Sequence, residues 1–134
     1  MRSSKRCCLG PQLVPSLLVK DLDATVAFYE RLGFTLTGFF PAEGARTWSE
    51  VTRDGVALQF YTDPPHGTPT EPVCSGTLYA PTHDVLALAE ELRDVVPFVW
   101  GPEVMEYGWR EFAVQDPNGY YLACTEPVED GDEI

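Results

Sequence analysis

The feature that most constrains this chain is an internal repeat. Trp48-Ser49-Glu50-Val51 returns as Trp109-Arg110-Glu111-Phe112 at an offset of 61 residues. Ahead of each copy stand a short apolar run and then an amphipathic segment. Leu13 to Val19 reads as a strand, followed by a helix that Asp23 caps and Gly33 stops. Gly76 to Ala80 reads as the second such strand, followed by a helix that Asp84 caps and Pro97 ends. Leu22, Val26, Tyr29 and Leu32 give the first helix one apolar face, and Val85, Leu88, Leu92 and Val95 do the same for the second. Three strand-like runs follow each helix, at 34–40, 46–53 and 56–62, and at 97–101, 109–115 and 120–125. The turns Arg53-Asp54-Gly55 and Asp116-Pro117-Asn118-Gly119 supply the residues that tolerate the positive φ tight hairpins require. The repeat therefore predicts an α+β fold built from two βαβββ modules.

With 134 residues the chain has the size of one ordinary domain, large enough to bury a core without a disulfide or metal staple. The expected division is a leading tail over 1–12, one domain over 13–127 and an acidic tail over 128–134. Within the domain, module one covers 13–63 and module two 75–127. The connector at 64–74 is proline-rich and extended, since residues 63–72 hold four of the twelve prolines.

Charge narrows the choice of partners. Nine Lys and Arg face 21 Asp and Glu, a net of −12. Arg2, Lys5 and Arg6 lie in the first six positions, leaving six basic residues against 21 acidic ones, or −15, over the rest. So acidic a body repels phosphate backbones, which argues against nucleic acid, and it attracts cations. No apolar run approaches the ~20 residues needed to span a bilayer, and the basic start lacks a signal-peptide core. The chain reads as soluble and cytoplasmic. Cys7, Cys8, Cys74 and Cys124 show no CxxC pairing, and Cys124 falls in an apolar run as a small buried hydrophobe.

Two stretches carry a resemblance. Val14-Pro15-Ser16-Leu17-Leu18-Val19-Lys20-Asp21-Leu22-Asp23-Ala24, with Ala27-Phe28-Tyr29-Glu30-Arg31-Leu32-Gly33-Phe34, resembles the first strand and helix of the vicinal oxygen chelate superfamily. That group includes glyoxalase I, extradiol dioxygenases, fosfomycin-resistance enzymes and bleomycin-resistance proteins. Gly108-Trp109-Arg110-Glu111-Phe112-Ala113-Val114-Gln115-Asp116-Pro117-Asn118-Gly119-Tyr120 resembles the G-x-R-E-F-A-V-x-D-P-x-G signature of its bleomycin-resistance-like members. The likeness covers 13–127. It implies modules that each curl a mixed sheet into a half-open cup, and a homodimer whose ligand clefts draw on both modules. It also implies an antibiotic-resistance role as one outcome.

Metal-dependent members of that superfamily carry His, Glu or Gln on the first and last strands of each module. Those positions fall here at Val14, Ala57 (or Gln59 in a shifted register), Thr77 and Ala123. Such side chains cannot hold a divalent ion. His66 lies in the connector and His83 at the corner before the second helix, away from the cup. Neither a metal nor another cofactor is expected, and no catalytic residue is assigned. The sequence contains no GxSxG, HExxH or Walker loop.

The candidate ligand-binding residues are Phe39, Phe40, Trp48, Glu50, Trp100, Tyr107, Trp109 and Glu111. Aromatic walls suit planar ligands, and carboxylates beside them suit positive charge. Glu50 and Glu111 hold matching places in the repeat, either lining the cleft or turned outward in salt bridges with Arg46 or Arg110. Two positions depart from characterised bleomycin binders: Thr77 stands where an aromatic is common, and Trp109 is one place displaced. The expected function is sequestration, by a metal-free homodimer, of a small aromatic and cationic molecule, without transforming it. A metal-dependent lyase, isomerase or dioxygenase-like enzyme is the alternative, and a ligand-free interaction module the third.

Overall fold

The structure, a computed structural model, describes residues 6–10, 12–64 and 66–129. The expected tails at 1–12 and 128–134 lie partly outside the described residues. The element order is β1 (Ser16–Leu18), α1 (Leu22–Arg31), β2 (Thr35–Phe40), β3 (Trp48–Arg53) and β4 (Val56–Tyr61), then β5 (Thr77–Pro81), α2 (Val85–Leu92), β6 (Trp100–Val104), β7 (Trp109–Gln115) and β8 (Tyr121–Pro127). This is βαβββ twice. Each half forms a four-stranded mixed sheet, ordered β1-β4-β3-β2 and β5-β8-β7-β6, with only the first pair of each parallel. No helix among the described residues is long and apolar enough to cross a membrane.

Local chemistry moves some expected boundaries. Asp21, not Asp23, caps α1: its backbone is extended and its carboxylate accepts from Ala24 N at 3.0 Å. Asp23 instead sits in the first turn, where the helix dipole favours an acid. Asp84 caps α2 in the same way through Ala87 N, but that helix ends at Leu92, before Val95 and Pro97. The strand expected at 97–101 runs from Trp100 to Val104, because its register shifts between Trp100 and Glu103 and the bulge carries it onward. Phe98 is left outside the ladder, stacked on Phe112 with ring centroids 4.6 Å apart.

Each helix covers one face of its own sheet, and the two covered faces join into one core. Tyr29 on α1 is fully buried, stacked on Phe60 of β4 at 5.2 Å. The Asp116-Pro117-Asn118-Gly119 turn then locks the modules together. Asp116 Oδ1 accepts from Asn118 N and Tyr120 N, which shapes the turn, while Oδ2 accepts from Tyr29 Oη at 2.9 Å. Tyr120 Oη donates to Leu18 O at 2.6 Å and Asn118 Nδ2 to Thr25 Oγ1 at 3.0 Å. Across the second junction Arg53 donates to Leu32 O and to both oxygens of Glu91.

Burial first, and then the charge of Asp116, raise the Tyr29 hydroxyl well above its ordinary 10.0. The neutral form is the one the fold favours. Its contribution is therefore complete below about pH 10 and is lost as pH rises further. Replacing Tyr29 by Phe removes a hydrogen bond to a charged acceptor and is expected to cost about 2 kcal/mol in urea unfolding at neutral pH. The same variant should lose part of the alkaline decline in stability.

Candidate functional site

Strand alternation assigns every residue of the two sheets to a side. On the first sheet Ser49, Val51, Leu58 and Phe60 face α1. Trp48, Glu50, Ala57, Gln59 and Tyr61 share the helix-free face, as the paired positions Trp48 with Tyr61 and Glu50 with Gln59 require. Phe40 pairs with Trp48 and joins that face, whereas Phe39 pairs with Ser49 and lies on the other. The Phe39 ring is covered by the Arg46 guanidinium, 3.9 Å above its centroid. Gly38 leaves room for the Trp48 indole, which an added Cβ would meet at 3.0 Å.

Glu50 on this face is fully engaged. Thr37 Oγ1 donates to its Oε1 at 2.9 Å and Gln59 Nε2 to its Oε2 at 3.0 Å. Neither Arg46 nor Arg110 pairs with it. Arg110 lies on the helix side of the second sheet, in an ion pair with Glu126 at 2.9 Å.

The second sheet carries a different arrangement. Trp109, Glu111, Ala113 and Gln115 face away from α2, together with Thr77, Tyr79 and Pro81 on β5 and Tyr121, Ala123 and Thr125 on β8. Glu111 is 1% exposed. Trp100 Nε1 donates to its Oε1 at 3.1 Å and Tyr107 Oη donates to the same oxygen at 2.9 Å. Its Oε2 is buried with no hydrogen-bond partner, one of two such side-chain atoms among the described residues; the other, Ser49 Oγ, is on the helix side of the first sheet. Tyr121 packs against Trp100 with centroids 5.8 Å apart. Hydrogen bonding to Tyr79, burial and Glu111, in that order, raise the Tyr107 hydroxyl above its ordinary range, which keeps it a donor. The Glu111 carboxyl group is thus covered by Trp100 and Tyr107, with Tyr121 packed against the Trp100 ring and Tyr79 beside the Tyr107 hydroxyl.

Gly101 makes this possible. Its φ of +78° forms the β6 bulge, and the backbone of Glu111 and Phe112 passes where its Cβ would be. The bulge re-aims Trp100 so that the indole reaches Glu111.

Glu50 and Glu111 are not register equivalents. The row through Glu50 runs to Gln59 and Ser16, five residues before the Asp21 cap. The row through Glu111 runs to Thr125 and Pro81, three residues before the Asp84 cap. Measured from the caps, Glu111 matches Trp48 and Glu50 matches Ala113. The longer β7–β8 connection absorbs the difference.

The structure therefore brings Trp100, Tyr107 and Glu111 into contact, places Trp109 on their face of the sheet, and keeps Phe40, Trp48 and Glu50 on the separate face of the first sheet. Sequence reasoning missed Tyr79, Tyr121, Thr37 and the partnering role of Gln59. The one available signal was period-two alternation, which puts Tyr79 on the face of Thr77.

The metal-ligand places can be tested by donor chemistry. Ala57, Thr77 and Ala123 do lie on helix-free faces, and Val14 precedes β1. Gln59, the shifted alternative to Ala57, shares that face and donates its amide to Glu50. A valine, two alanines, one hydroxyl and one amide do not supply a divalent ion with a coordination shell, so these residues do not fit a metal. Among the described residues no three His, Cys, Asp or Glu gather into a metal-binding group.

Two βαβββ modules with helix-free concave faces and a buried carboxyl group under aromatic rings define a cup-shaped protein of the vicinal-oxygen-chelate class. The chain belongs to the glyoxalase/bleomycin resistance protein/dioxygenase superfamily, whose family model matches residues 12–123. It is 31% identical over 120 residues to a bleomycin resistance protein of Klebsiella pneumoniae, covering 83% of this chain and 88% of that one. Among solved structures it is similar to TnmS3, an antibiotic-binding protein from Streptomyces sp. CB03234. That match has a TM-score of 0.71 at 24% identity, over 92% of this chain and 100% of the other. A bleomycin-binding protein solved in complex with bleomycin matches with a TM-score of 0.64 at 24% identity, over 87% and 98%. At those identities the two structures speak for the fold.

Proposed function

We propose that this protein binds and sequesters a small aromatic molecule carrying a protonated nitrogen, leaves it chemically unchanged, and works as a metal-free homodimer. The observation that carries this reading is Glu111 Oε2: a carboxyl oxygen taken from water and given no partner costs stability unless something supplies one. An N–H of a cationic ligand is such a donor, and the rings of Trp100, Tyr107 and Tyr121 suit the rest of it. Entry requires the exposed Tyr107 to swing aside from Glu111 and Tyr79. Net charge of −12 favours capture of cations. The Klebsiella relative's name and the two antibiotic-binding structures agree with small-molecule binding. Phe40, Tyr107 and Trp109 stand exposed on the helix-free faces, as residues awaiting a second chain or a ligand would.

The test is calorimetric titration with bleomycin and with a naphthyl-methylamine, followed by mass spectrometry of the recovered compound. Saturable binding of the amine, at least tenfold tighter than its neutral alcohol analogue and with the compound recovered intact, is the expected result. Equal affinity for amine and alcohol contradicts the cation reading, and a converted product contradicts sequestration.

A further inference from the structure

A cavity lies on the opposite side of the β7–β8 ladder from Glu111. It measures about 380 Å³, with Phe112, Leu122 and Cys124 as its floor and Val56 and Leu92 in its walls. Asp54, His83 and Glu91 stand exposed at its mouth. Phe112, Leu122 and Cys124 alternate with Glu111, Ala113, Ala123 and Thr125, so the sheet itself separates this cavity from the aromatic cover around Glu111.

The repeat shows what the cavity lacks. At the pseudo-equivalent junction of module one, Tyr29 stands eight residues after the Asp21 cap, Phe60 pairs with Leu17 on β1, and Tyr120 follows the turn residue Gly119. All three rings are buried, with Tyr29 stacked on Phe60. In the other junction the corresponding places hold smaller side chains. Leu92 stands eight residues after the Asp84 cap, Cys124 pairs with Ala80 on β5, and Val56 follows the turn residue Gly55. Where one junction is plugged by three rings, the other retains a ring-sized space.

The mouth carries one cation, Arg53, against the carboxylates of Asp54, Asp84 and Glu91, and each of the four already has a partner within the protein. Arg53 is held by Leu32 O, Glu91 and Asp54, and Asp84 is spent on capping α2. What remains for a ligand is apolar wall. An apolar cavity of about 150 Å³ accepts a benzene ring, so this one has room for two or three fused rings.

We infer that this inter-module cavity is a second binding site, selective for uncharged molecules of two to three fused rings. The neutral preference separates it from the concave face, where Glu111 calls for a cation.

The test uses the C7S/C8S/C74S variant, in which Cys124 is the remaining thiol and reports on the cavity floor, with 2-naphthol as probe and N-ethylmaleimide as reagent at pH 8. Saturating 2-naphthol should slow Cys124 alkylation at least fivefold and raise the melting temperature. Glu111→Gln added to this background should change neither effect. Val56→Phe or Leu92→Tyr, which restores a ring, should abolish the melting shift. No protection of Cys124 in the folded variant, a thiol that reacts only on unfolding, or protection that disappears with Glu111→Gln would overturn the inference. These outcomes need no ring-restoring variant to fold.

Discussion

Gly101→Ala is expected to lower stability by about 3 kcal/mol or more. Two costs add. The residue sits at φ +78°, where a side chain strains the backbone by about 1–2 kcal/mol. The new Cβ would also fall 2.1 Å from Glu111 O and 2.9 Å from Phe112 Cα, both backbone atoms of the adjacent strand that cannot rotate away. Relief requires β6 to separate from β7, which withdraws the Trp100 indole from Glu111. Thermal unfolding should show a fall of roughly 10 °C. Gly44→Ala is the control: its φ is +87° but nothing lies within 4 Å of its Cβ, so only the conformational strain applies. Equal melting temperatures for the two variants would show that the β6 bulge does not fix the Glu111 backbone.

Glu111→Gln separates binding from folding. The amide keeps a carbonyl for Trp100 Nε1 and Tyr107 Oη and changes almost no volume, so unliganded stability should stay within about 1 kcal/mol of the original. With that carbonyl in place the amide nitrogen takes the position of Oε2, and a donor there cannot accept a ligand N–H, so the charge-assisted bond is lost, about 1.5–3 kcal/mol, or roughly tenfold to a hundredfold in affinity. Glu50→Gln provides the comparison, because both oxygens of Glu50 already accept from Thr37 and Gln59. Its effect on the same ligand should be several-fold smaller. A ligand that responds more to Glu50 than to Glu111 would move the site to the first sheet.

The repeat and the turn chemistry were the legible part of the fold. Asp116-Pro117-Asn118-Gly119 could be read as a hairpin turn, and the structure adds that Asp116 binds Tyr29 across the modules, a contact 87 positions away that no local pattern encodes. The helix faces followed from spacing, whereas the Asp21 cap depended on which of two nearby aspartates could be extended. The candidate site was legible only by residue type. Glu111, Trp100 and Tyr107 were singled out as ligand-binding candidates by residue type, and that they touch one another was not legible, because the bulge that joins them rests on one glycine whose φ no sequence window reveals. The offset of 61 also misled, pairing Glu50 with Glu111 when the ladders pair Glu111 with Trp48. A side-chain repeat can survive a longer hairpin while the register beneath it slips, so one carboxylate is satisfied and the other is left open.

The central claim is that Glu111 Oε2 is completed by a ligand cation. The most direct measurement is a crystal structure of the protein grown with saturating naphthyl-methylamine. The account predicts the amine nitrogen about 2.7–3.2 Å from Glu111 Oε2, with the rings against Trp100 and Tyr121. An amine found elsewhere, with Oε2 occupied by a side chain of a second copy of the chain, would contradict it and make Glu111 an interface residue.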